Sequence, residues 1–222
     1  MVSLNPNSLA DLRLEPWFVP TQTLPAIVTL EKVAAARATL LAASNKIAWA
    51  GLRIVVIPTP RFNLLLEEWK VKSGVLTTGV IALLRSLRDL PGENPLRVSI
   101  DRLGGRQYYS PLIHEAFPES WSRPVCETPE RCVYTLHGLG REITLCFEPR
   151  ADGTHLNVAL ASMTAKYVRE ICMLQFNAYW QQKLPNLKPT AGYPLDAKRF
   201  FADIRPIIER EGIEPRAVWR IK

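Results

Sequence analysis

The chain has no apolar run approaching the roughly 18 residues that a membrane-crossing helix requires, and no charged-then-apolar leader at its start. Secretion and membrane insertion are therefore not expected. Its four cysteines, Cys126, Cys132, Cys146 and Cys172, include no Cys-x-x-Cys pair. The three histidines, His114, His137 and His155, lack zinc-site spacing. A disulfide framework and a structural zinc are thus not expected either. The cysteines read as reduced, packed as small hydrophobes in a cytoplasmic protein. Internal repeats and low-complexity tracts are also lacking, and no composition shift divides the chain, so one domain over residues 1–222 is expected.

What is present is an ordinary globular composition: 222 residues, 47% hydrophobic and 22% charged. That length can bury a substantial core, and disorder is not the default. The formal net charge is +7 and the pI is near 9.4. Such a balance favours anionic partners, nucleic acid among them, and the basic residues thicken toward the C-terminal half.

Proline at positions 6, 16, 20 and 25 makes residues 1–27 read as an irregular lead-in, with Trp17 and Phe18 docked on an apolar surface. The Ala- and Leu-rich stretch from Val28 to Ala43 predicts a helix. Gly51–Ile57 is β-branched and ends at Pro58, as a buried strand would. Helical periodicity follows over Arg61–Trp69 and from Ser73 through Leu87. Leu96–Asp101 is a short strand with an acid at its end, then a glycine-bearing loop and a helix near Ser110–Ala116. Cys132–Leu136 and Glu142–Phe147 read as a β-hairpin, since Ile143, Leu145 and Phe147 alternate on one face. A last helix covers Asp196–Arg210.

Two acids draw attention. Asp101 stands at a strand's carboxyl end, where ligands bind in open α/β sheets, although turn formation or helix capping explains an Asp there equally. Asp152 occupies a turn before a long amphipathic helix that carries Lys166 and Arg169. A carboxylate at a helix start with cations further along suits phosphate and divalent-metal chemistry, and the same pattern fits a capped, charged surface helix. Two carboxylates at one sheet edge can hold metal ions that activate water for phosphodiester cleavage.

The residues Asp152, Ala161-Ser162-Met163-Thr164-Ala165-Lys166 and Arg169-Glu170 resemble the signature of ribonuclease HII, in which a catalytic Asp precedes an Ala-Ser-Ile-x-Ala-Lys helix start followed by Arg-Asp. Val98-Ser99-Ile100-Asp101 is similar to the family's strand ending in another catalytic Asp, and Ala191-Gly192-Tyr193 to its His-Lys-Gly-Tyr-Gly element. The resemblance spans roughly Trp49 to the C-terminus. It implies a ribonuclease H-like α/β fold, a mixed sheet flanked by helices with an added hairpin near 132–147. The implied activity is Mg²⁺- or Mn²⁺-dependent endonucleolytic hydrolysis of RNA in RNA–DNA hybrids or at ribonucleotides embedded in DNA.

On that resemblance Asp101 and Asp152 hold the metals, while Lys166, Arg169, Lys188 and Lys198 contact phosphate and Tyr193 stacks on the junction sugar. The residue-level alternatives are a snorkelling Lys166, an Arg169 paired with Glu170, and a Tyr193 that packs its loop onto the body. The family's opening strand, Asp-Glu-Ala-Gly-Arg-Gly, has no counterpart in residues 1–60. That strand carries two of the four metal-binding acids and lies mid-sheet. The expectation is thus a truncated, impaired enzyme with a gap in its sheet, filled by a missing N-terminal segment or a second chain. The alternatives are an inactive nucleic-acid-binding relative and a fragment of a longer ribonuclease HII.

Overall fold

The computed structural model describes residues 2–21, 28–43 and 51–221. The elements are β1 (Val2–Leu4), α1 (Pro6–Leu12), α2 (Leu30–Ala42), β2 (Leu52–Ile54), α3 (Thr59–Trp69), α4 (Lys72–Arg85), β3 (Leu96–Asp101), α5 (Ser110–Ala116), β4 (Trp121–Glu127), β5 (Cys132–His137), β6 (Ile143–Glu148), α6 (Leu156–Lys183), α7 (Pro194–Glu211) and α8 (Pro215–Val218). Short 3₁₀ turns follow α4 at Ser86–Asp89 and precede α6 at Ala151–Gly153. Among the described residues no helix is long and apolar enough to cross a membrane.

The fold is mixed α/β. Its main sheet has the order β3-β6-β5-β4, with β3 parallel to β6 and the other pairs antiparallel. The 132–147 hairpin is therefore no appendage: its two strands occupy the middle of the sheet. Period-two alternation explains why. Cys132, Tyr134 and Leu136 on β5, and Ile143, Leu145 and Phe147 on β6, all turn into one apolar cluster with α5 and with Ile81 and Leu84 of α4. Tyr109 stacks on Phe147 within it, with ring centroids 3.7 Å apart.

Three sequence expectations change. Residues 2–12 form β1 and α1 rather than an irregular lead-in; Asn5 accepts the Asn7 N–H at 3.0 Å and Pro6 takes the first helical turn, a local start signal of the usual kind. The strand expected over Gly51–Ile57 is cut to Leu52–Ile54, half-exposed, and pairs in parallel with β1 outside the main sheet. A further strand, β4, was not expected. It carries Pro124, which an edge strand tolerates because one side of its backbone has no ladder partner.

Trp17 does dock. It is buried against Phe176, Tyr179 and Trp180 of α6, edge-on to Phe176 at 5.0 Å, in a second cluster completed by α7. A third, smaller cluster joins α3 to α4 through Leu65, Leu66 and Val75. The α3–α4 corner is tight enough to require glycine, since a Cβ at Gly74 would lie 2.4 Å from the Trp69 Cβ.

Candidate functional site

β3 and β6 run side by side and end together, with Asp101 opposite Glu148 in the register. The chain leaves β6 through Pro149 and Arg150, whose φ of 58° turns it sharply into the 3₁₀ turn. There the Ala151 N–H donates to Asp101 Oδ1 at 3.1 Å. Asp152 is the next residue, exposed and without an ion pair or hydrogen bond among the described residues. The structure thus brings the two expected acids to one strand edge. It also gives Asp101 the turn-forming role that the sequence alone left open.

Around this edge stand residues that the sequence reading did not single out. Glu148 meets His155 Nε2 at 2.6 Å and Arg131 Nε at 3.0 Å. The His155 hydrogen bond first, with Cys146 and Arg131 adding to it, holds the Glu148 carboxyl below the usual range against the opposing effect of partial burial. One signal was in the sequence: Glu148 ends its strand as Asp101 ends β3. The Glu148–His155 pairing was hidden, because it depends on how the intervening turn folds.

On the other side of Asp101 the loop 102–108 is fixed from within. The Leu103 N–H donates to the Tyr109 hydroxyl at 3.2 Å and the Tyr109 N–H to the Tyr134 hydroxyl at 3.0 Å. Arg102 reaches back to the carbonyl oxygens of Arg106 and Pro129.

The remaining candidates form a second group. Arg169 pairs with Glu170 at 2.7 Å, donates to the Ala191 carbonyl, and sets its guanidinium 5.7 Å from the Tyr193 ring centroid. The expected Arg169–Glu170 pairing is therefore present. Tyr193 is 67% exposed, so its ring does not pack the loop onto the body. The loop is held instead by Asn177, which exchanges two 2.9 Å hydrogen bonds with the Thr190 backbone, and by Asp196 and Arg199 of α7. Gly192 adopts φ 76° there, and a Cβ would come 3.5 Å from the Arg169 guanidinium.

Lys166, Lys188 and Lys198 are exposed and carry no side-chain ion pair among the described residues. From the start of α6 to Arg169 is about 20 Å at ~1.5 Å per residue, so the acids and the Arg169–Tyr193 group stand well apart along one helix.

Among the described residues, no set of three or more His, Cys, Asp or Glu side chains is grouped to hold a metal ion. The donors at the edge are Asp101, with one oxygen engaged by Ala151, and the free Asp152. That set suits Mg²⁺ in the manner where one or two carboxylates share the ion with phosphate oxygens and water, and does not suit an all-protein cage. No family model, no curated protein and no solved structure matches this chain.

Proposed function

We propose that this chain is a ribonuclease HII-like protein that binds RNA–DNA hybrids and acts, with reduced efficiency, on the RNA strand with Mg²⁺ or Mn²⁺. The observation that supports this most directly is the Asp101–Ala151 hydrogen bond, which sets Asp101 and Asp152 at the shared carboxyl end of two parallel strands. A divalent ion held there with a phosphate would supply Lewis-acid stabilisation and a lowered water pKa. The chain's own residues do the positioning. Asp101 and Asp152 would offer carboxylate oxygens to the ion, and Arg169, Tyr193, Lys166, Lys188 and Lys198 would offer cations and a ring to the substrate. Roughly 20 Å corresponds to about six base steps of a duplex, so one hybrid can span both groups.

A second reading has a specific observation behind it. Glu148, the third acid at the edge, is engaged by His155 and Arg131 rather than free to complete a metal site. An inactive hybrid-binding relative would look the same. The test is cleavage of a labelled hybrid by pure protein in Mg²⁺ and Mn²⁺, alongside Asp101→Asn and Asp152→Asn. The first reading expects slow cleavage lost in both variants, with the metal-independent part of hybrid binding retained. Undiminished cleavage by the variants removes the site assignment, and no cleavage by the parent selects the second reading.

A further inference from the structure

The main sheet has a second face, turned away from the apolar cluster. The pairing register aligns Arg97, Thr144, Thr135 and Arg123 as one row across β3, β6, β5 and β4. Ser99 lies beside this row on β3, and Trp121 pairs with His137 on the far side. These residues are polar or aromatic and half-buried to exposed, whereas Cys146 and Val133, next along the same face toward Asp101, are buried. Asp101 and Glu148 occupy the opposite end of the same face.

Arg97 and Arg123 are exposed, and their side chains make no ion pair or hydrogen bond among the described residues. Their neighbours behave otherwise: Arg131 is tied to Glu148, and Arg141 to the Leu87 and Leu90 carbonyls. Trp121 is 61% exposed, while its ring stacks on His137 at 4.3 Å and 23°. The indole is therefore oriented by one neighbour and open to another flat group. With strands about 4.8 Å apart, the two arginines are separated by roughly 14 Å, the reach of a few nucleotides of backbone.

We propose that this sheet face is a binding platform for single-stranded RNA. A base stacks on Trp121, the unpaired guanidiniums of Arg97 and Arg123 take phosphates, and the hydroxyls of Ser99, Thr135 and Thr144 meet ribose 2′-hydroxyls. Stacking on an exposed indole requires an unpaired base, which selects a single strand over a duplex. The row of hydroxyls between the arginines selects RNA over DNA. Two free cations flanking a row of hydroxyls favour nucleic acid over a protein partner. The platform needs no metal, so it stands or falls separately from the hybrid-cleaving edge.

The experiment is fluorescence anisotropy of a fluorescein-labelled oligouridine titrated with the full chain in EDTA at low salt. Trp121→Ala and the double variant Arg97→Gln/Arg123→Gln should each weaken binding by about tenfold or more, on the scale of one lost stacking contact. Trp121→Phe, which keeps a ring, should retain most of the affinity. The exposed Arg13→Gln, elsewhere on the surface, should bind like the parent. Oligothymidine of the same length should bind several-fold more weakly than oligouridine. All the substituted side chains are exposed or nearly so, and thermal melts should confirm that the variants fold. The proposal is overturned by absence of saturable binding, by either the Trp121→Ala or the double arginine variant binding like the parent, or by oligothymidine binding as tightly as oligouridine.

Discussion

Asp101 Oδ1 accepts the Ala151 backbone N–H at 3.1 Å, tying the end of β3 to the turn that carries Asp152. The bond sets the relative position of two acids that lie far apart in the chain. Asparagine keeps an oxygen able to accept it and alanine does not. Asp101→Ala should therefore lower stability by about 1 kcal/mol and Asp101→Asn by less, as read by urea denaturation. Equal losses would show that the bond does not anchor the turn.

Glu15 gives a pH dependence with a definite sign. Burial pushes its carboxyl up to about 7, against the lowering effect of the Trp17 indole N–H, which donates to it at 2.9 Å. An acid whose folded pKa lies above its unfolded value favours the fold while protonated, and that advantage fades as pH rises through about 7. Glu15→Gln keeps an acceptor for Trp17 without the charge. The variant should be more stable than the parent at pH 8 and nearly equal to it at pH 4. A variant no more stable than the parent at pH 8 would contradict the burial assigned to Glu15.

Asp196 behaves oppositely. The Thr190 hydroxyl at 2.6 Å, then Arg199 and the Ala191 N–H, hold its carboxyl down at about 2. Whatever it contributes to stability is present above the ordinary aspartate range and is lost as pH falls toward 2. Its carboxyl signal in an NMR titration should move near pH 2, and a midpoint near 4 would show that the contacts are not made in solution. Because the Asp196–Arg199 pair is only partly buried, Asp196→Asn should change global stability modestly while quickening hydrogen exchange through residues 188–193.

Much of this was legible in the sequence, and the limits have physical causes. Apolar periodicity marked α4 and the β5–β6 hairpin, and helices were also expected at α3, α5 and α7; each of these turns an apolar face into a cluster. The sequence did not say where that hairpin would sit. A resemblance that predicts a gap mid-sheet makes the hairpin an addition, whereas alternation on both strands suits a central place. β4 was missed because Arg123, Pro124 and Glu127 give an edge strand little apolar pattern. At the site, Asp101 and Asp152 were legible as strand-end and turn acids. Glu148 with His155, and Arg169 with Tyr193, needed the turn and the loop that bring them together.

The central claim is that Asp101 and Asp152 hold a divalent ion jointly with the phosphate of a hybrid. Equilibrium binding of an RNA–DNA hybrid, with Mg²⁺ and with EDTA, tests it whether or not the chain cleaves. The parent should bind severalfold more tightly with Mg²⁺, and the Asp101→Asn/Asp152→Asn double variant should bind equally with and without it. A double variant that responds to Mg²⁺ as the parent does, or a parent indifferent to Mg²⁺, would contradict the claim.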